Sequence, residues 1–202
     1  MKRVLFSSYL CCMIIYAYGQ IWGGEITYEN VSPFNNHFRI HLTKFSVCQS
    51  VYDLSVASVY PGDGLNIAIP RSDSIILSNN ILQNNYDAVY VYPPLLDGSF
   101  YIWYEDSINM EGLNYPNSSK FPFHLESFLK INPFLGPNNS VFFADNSITL
   151  GDLNKPFLHN PAAIDIDGDS LSFQFLDLDG PDSSEYWIPT DMHINPKSGE
   201  II

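Results

Sequence analysis

The sequence predicts an all-β chain of two consecutive antiparallel β-sandwich units, the second incomplete. Three observations carry that expectation. Polar and apolar residues alternate with period two in stretch after stretch, which places every second side chain on one face of a strand. No window shows an apolar stripe of period 3.6 with helix caps, and 14 Pro and 12 Gly argue against a helical bundle. The composition, 46% hydrophobic and 15% aromatic with only 15% charged, supplies a core and opposes disorder.

The strands follow in chain order. His37 to Thr43 puts Phe38, Ile40 and Leu42 on one face, and Leu65 to Ile69 repeats the pattern. Ala88 to Tyr92 and Phe100 to Glu105 read as two strands, with Asp97-Gly98 supplying turn chemistry between them. Phe121, Phe123 and Leu125 alternate with Pro122, His124 and Glu126, and the run continues from Phe128 to Ile131. A Pro-, Gly- and Asn-rich stretch, Ile131 to Asn139, then predicts a short, stiff, extended connector. The chain divides there into a signal peptide over 1–19, a first sandwich over 20–136 and a second over 137–202. In the second, Val141 to Phe143, Ser147 to Leu150 and Pro156 to Leu158 read as strands. So does Ser170 to Asp177, with Leu171, Phe173 and Phe175 inward, and His193 to Ile202 reads as strand, turn and strand. A sandwich of the immunoglobulin type needs about seven strands in roughly 100 residues. Residues 137–202 number 66, so a fragment of a longer protein is expected.

The first 19 residues read as an export signal: Lys2 and Arg3, an apolar run from Val4 to Ile15, then Ala17-Tyr18-Gly19 before Gln20. The run is too short to span a bilayer, and no later segment anchors the chain, so a secreted or cell-surface location is expected. Losing Lys2 and Arg3 leaves seven basic residues against 22 acidic ones, which excludes nucleic acid as a partner. Cys48 remains as the one cysteine after cleavage, so no internal disulfide can form.

One cluster has pointed chemistry. Asp165, Asp167 and Asp169 alternate around Gly168, and such crowding of carboxylates is unfavourable without a cation. In a calcium-rich exterior, Ca²⁺ suits hard oxygen ligands, but it takes about 6–8 of them. Asn138 and Asn139 of the connector are the candidates to complete the set, as a structural Ca²⁺ site. The competing reading is a solvated turn, which Asp and Gly form readily. Asp177, Asp179 and Asp182 around Gly180 read as a solvated loop. Of the five histidines only His37 and His41 stand four apart, too few ligands for zinc, and no GxSxG elbow or phosphate loop occurs, so no enzyme is expected. Trp22, Trp103 and Trp187 leave a carbohydrate-binding face open, and paired acids leave a secreted hydrolase as a further alternative.

Gly23 to Glu29, Phe100 to Asp106, Pro122 to Glu126, Ile131 to Gly136, Lys155 to Pro161 and Asp165 to Leu171 together resemble large exported surface proteins of Bacteroidota. Those proteins are of the gliding-motility-associated, type IX secretion kind. Asp165 to Leu171 and Asn195 to Ile201 are also similar to cadherin-like, immunoglobulin-like repeats, where the acidic signature sits at a calcium-binding domain junction. The resemblance implies a structural or adhesive role, with partners among other domains of a longer chain, surface proteins or glycans. The chain departs from the pattern in carrying Phe45-Ser46-Val47 before Cys48 where an Arg-Asp pair is usual. Pro137 and Asp152 stand where cysteines are common, so the family's disulfides are not expected here.

Overall fold

The computed structural model describes residues 21–32, 36–48, 54–77, 80–94, 97–106, 122–145, 151–152, 155–176 and 191–202. The expected export signal, the strand at Ser147 to Leu150, the acidic group Asp177, Asp179 and Asp182, and Trp187 lie outside those residues.

The fold is all-β and antiparallel. Seven strands, β1 (Ile21–Asn30), β2 (His37–Val47), β3 (Val56–Tyr60), β4 (Ile67–Ile76), β5 (Ile81–Val91), β6 (Gly98–Asp106) and β7 (Phe123–Ile131), form one sheet in the order β1-β2-β5-β4-β3-β6-β7. β4 turns the corner. Its Ile67 to Pro70 half pairs with β3 and its Arg71 to Ile76 half with β5, with a register shift between Arg71 and Asp73. Such a bulge bends a strand so that it passes from one layer of a sandwich to the other. Pro70, which has no N–H to donate, stands at the bend. β1 and β7 come together at the far side without a hydrogen-bonded ladder, so the sheet is nearly closed along a seam.

The predicted alternation fixes what fills the interior. Phe38, Ile40 and Leu42 are fully buried and meet Ile69 of β4, Tyr86 of β5, Ile102 of β6 and Leu129 of β7. Tyr28, Phe38 and Tyr92 pack edge to face, with ring centroids 5.7 and 5.9 Å apart. Gly62 has φ +93° and lies so close to the main chain of Tyr101 that any side chain there would strike β6.

Beyond β7 the structure loosens. Asn132 caps a turn by accepting the N–H of Phe134, and an extended stretch leads to β8 (Phe142–Phe143), which pairs with β9 (Ala163–Ile164). Pro156 to Leu158, expected as a strand, has no ladder; only His159 bridges Ile201. Pro156 has no N–H to donate, and Phe157 and Leu158 pair with no described strand. Leu171, Phe173 and Phe175 keep their alternation as half-buried residues, again without a ladder. The expected terminal hairpin is present: His193 and Ile202 exchange two main-chain bonds, and Gly199 closes the turn at φ +73°.

Candidate functional site

The connector amides and the acidic turn do come together. Asn139 donates its main-chain N–H to Asp167 Oδ2 at 2.6 Å and its side-chain amide to Asp167 Oδ1 at 2.9 Å. On its other side, Asn139 Oδ1 accepts the main-chain N–H of Asn30, at 2.7 Å. Ser140 then pairs with Tyr28 as a strand would: Ser140 N–H donates to Tyr28 O, and Tyr28 N–H donates to Ser140 Oγ. Tyr28 and Asn30 therefore turn their main-chain groups away from β2, toward the seam, and Asn139 and Ser140 satisfy them. An edge that would otherwise present open donors and acceptors is covered by the chain itself.

The acidic turn is built from within. Asp165 Oδ1 accepts the N–H of Asp167 at 2.9 Å and of Asp169 at 3.1 Å, and Gly168 takes φ +84° to let the chain double back. N–H donors thus offset part of the charge that three alternating carboxylates accumulate. Asn138 lies beside this turn and donates its amide to the carbonyl of Asn139. The five residues divide into a directly bonded pair, Asn139 and Asp167, with Asp165 organising the turn behind it. Asp169 joins through its main chain. Among the described residues, no group of three or more His, Cys, Asp or Glu side chains converges closely enough to hold a metal ion. A cation here would need amide, main-chain or water oxygens in addition, and would compete with N–H donors already seated on Asp165 and Asp167.

A cavity of about 480 Å³ opens beside the clamp, between β1 and β7, with Glu25, Leu125, Asn139 and Asp165 on its walls. Burial pushes the Glu25 carboxyl above its ordinary range, against a smaller opposing effect from the Phe143 N–H that it accepts. Burial also raises the Tyr28 phenol; Asn138 opposes that shift, and the charges of Asp167 and Asp165 add to it. The Tyr28 hydroxyl crosses the seam to donate to Phe128 O at 2.9 Å.

Two further clusters bear on the alternatives. On the outer face, Trp103 stacks on Tyr60 with centroids 3.8 Å apart, and His124 lies on its other side. Among the described residues, Tyr101 and Phe128 form an exposed aromatic pair, directly opposite each other across β6 and β7. Trp22, near the start of β1, is exposed as well. Elsewhere Asp87 accepts from Ser72 and contacts His41 Nδ1, so the carboxylate stands between serine and imidazole. The Ser72 hydroxyl donates to Asp87 and to the Asn85 carbonyl, an order that differs from a relay in which the imidazole lies next to the nucleophile.

Sequence reasoning found Asn139 and Asp167 but not their partners Asn30, Tyr28 and Ser140. Two glycines at Gly23-Gly24 obscured β1, whose later half does alternate. Compared with family models, curated proteins and solved structures, the chain gives no match.

Proposed function

We propose that this chain is a non-enzymatic, exported cell-surface segment, a spacer or adhesive stalk within a larger gliding-motility-associated type of protein. Its working part is the junction after β7. The observation that carries the reading is Asn139, which holds β1 through Asn30 and the acidic turn through Asp167. A two-sided clamp of this kind transmits load from one β-structure to the next and limits bending between them. Ca²⁺ enters the proposal as a reinforcing ligand of Asp165, Asp167 and Asp169 with the amide oxygens of Asn138 and Asn139, a donor set whose oxygen chemistry suits a hard cation.

Small-angle scattering with calcium and with chelator tests the cation directly. The expected result is a broader interdomain distance distribution in chelator; superimposable profiles would remove Ca²⁺ from the mechanism. Export is tested by sequencing the mature N-terminus, expected at Gln20, and by protease accessibility on intact cells.

Tyr101 and Phe128 favour a second reading, a carbohydrate-binding face, because both rings are exposed side by side on one sheet surface. A glycan array comparing the unmodified chain with Tyr101→Ala separates it from the spacer reading. Glycan signals lost in the variant would support the second reading, and blank arrays would retire it.

A further inference from the structure

Lys44 breaks the pattern of its strand. The inward face of β2 reads Phe38, Ile40, Leu42, and the next inward position is a lysine that is 4% exposed. Lys44 Nζ lies 5.4 and 5.1 Å from the ring centres of Tyr86 and Tyr104, within the sandwich. It donates to the Tyr104 hydroxyl at 2.9 Å, and that hydroxyl donates to Asp106 Oδ2 at 2.6 Å. Nζ and Asp106 Oδ2 are themselves 3.6 Å apart, and the Asp106 side chain is largely shielded from solvent.

We propose that Lys44 and Asp106 condense to an intramolecular amide, a covalent staple between β2 and β6. The Tyr104 hydroxyl already links donor to acceptor. Taking a proton from the ammonium while giving its own to the carboxylate leaves a neutral amine beside a neutral carboxylic acid. The amine nitrogen then attacks Cγ of Asp106. A second proton passes from nitrogen to the acid hydroxyl, which departs as water as the carbon–oxygen double bond re-forms. Ammonium and carboxylate are thereby converted to one amide and one water, with no oxidant, reductant or activating group.

Three features favour this reaction here and not in bulk water. Both side chains are largely shielded from solvent, so little water is present to compete with the amine for the acid carbon. The strands hold amine and acid together, which replaces a bimolecular encounter by a unimolecular step. Tyr104 keeps its proton for the relay, because burial raises its phenol strongly and the bonded Asp106 raises it further. The link also falls where the fold needs one. β2 neighbours β1 and β6 neighbours β7, so an amide between them braces the seam that has no ladder.

Intact mass of the denatured, unmodified chain decides the matter. The expected result is a deficit of one water, with a branched tryptic peptide joining Lys44 to Asp106. A mass without that deficit overturns the proposal, and so does a water loss mapped to other residues. Lys44→Met, which keeps the length and apolar stem, should restore the full mass. Tyr104→Phe, which keeps the ring, should leave most of the chain unlinked; a fully linked Tyr104→Phe would overturn the relay. Circular dichroism of both variants establishes that they fold.

Discussion

The seven-stranded sheet and the stretch from Val141 onward contain the same kinds of residue in the same alternation, yet they end in different physical states. In the sheet, Ile40, Leu42, Val59, Ile69 and Ile102 are fully excluded from water. In the later stretch, no described hydrophobic side chain is buried, and Ile166 and Leu176 are each 71% exposed. Alternation assigns a side chain to a face. Only a second layer opposite that face removes it from water, and the value of the assignment, about 25 cal/mol per Å² of apolar surface, is realised only then.

Truncating a core residue on each side of the connector breaks or sharpens this contrast with the largest effect. Ile102→Ala should cost about 2–5 kcal/mol by loss of burial and the cavity left behind. Phe173→Ala, at a half-buried position, should cost under about 2 kcal/mol. Urea denaturation of both variants measures the difference, and equal costs would mean that Phe173 sits in a core as dense as the sheet's.

Asn139→Ala comes next, with an expected cost of about 1–3 kcal/mol, because it orphans the Asn30 N–H and strips one donor from Asp167. Asn138→Ala, which loses a bond to its own neighbour's carbonyl and the contact with the Tyr28 hydroxyl but leaves Asn30 and Asp167 partnered by Asn139, serves as the control and should cost less. If the two are indistinguishable in denaturation, the clamp does not couple the regions. Gly168→Ala should cost roughly 1 kcal/mol by forcing a side chain into the left-handed region at φ +84°. Hydrogen exchange should register that loss in the acidic turn and leave the sheet unchanged.

Glu25→Gln is the smallest expected change. Its folded pKa is raised above 4.5 by burial, so its contribution is fully present at pH values where the carboxyl is protonated in both states. That contribution is lost as pH rises through the folded value. The variant should therefore match the unmodified chain in acid and become slightly more stable toward neutral pH. Thermal melts across that range check the sign, and a variant less stable at neutral pH would mean that the ionised carboxylate is useful.

Much of the first region was legible because burial and alternation agree there. β2, β6 and β7 follow the alternating stretches closely, and Asp97-Gly98 lies at the start of β6 as turn chemistry requires. β3 carries little local signal: Val56 to Tyr60 offers only five residues between Ser55 and the Pro61-Gly62 turn. The first half of β5 was missed because Gln83, Asn84 and Asn85 are polar. Asn84 is buried all the same, since Arg71 and Ser74 donate to its amide oxygen. A polar residue whose bonds are met inside a fold carries no local sign of being there. For the candidate site, the sequence exposed the charged turn and the amides, because carboxylate crowding is local. It could not supply Asn30 or Tyr28, which meet the connector from more than 100 residues away.

The sequence by itself determined the β class, the inward register of β2 and the need to neutralise the Asp165 to Asp169 turn, since steric periodicity and charge repulsion act between near neighbours. The tertiary structure alone decided the strand order, the seam between β1 and β7, and the meeting of Lys44 with Asp106 through Tyr104. Those outcomes depend on which distant strands close around a shared interior, and no spacing along the chain encodes that choice.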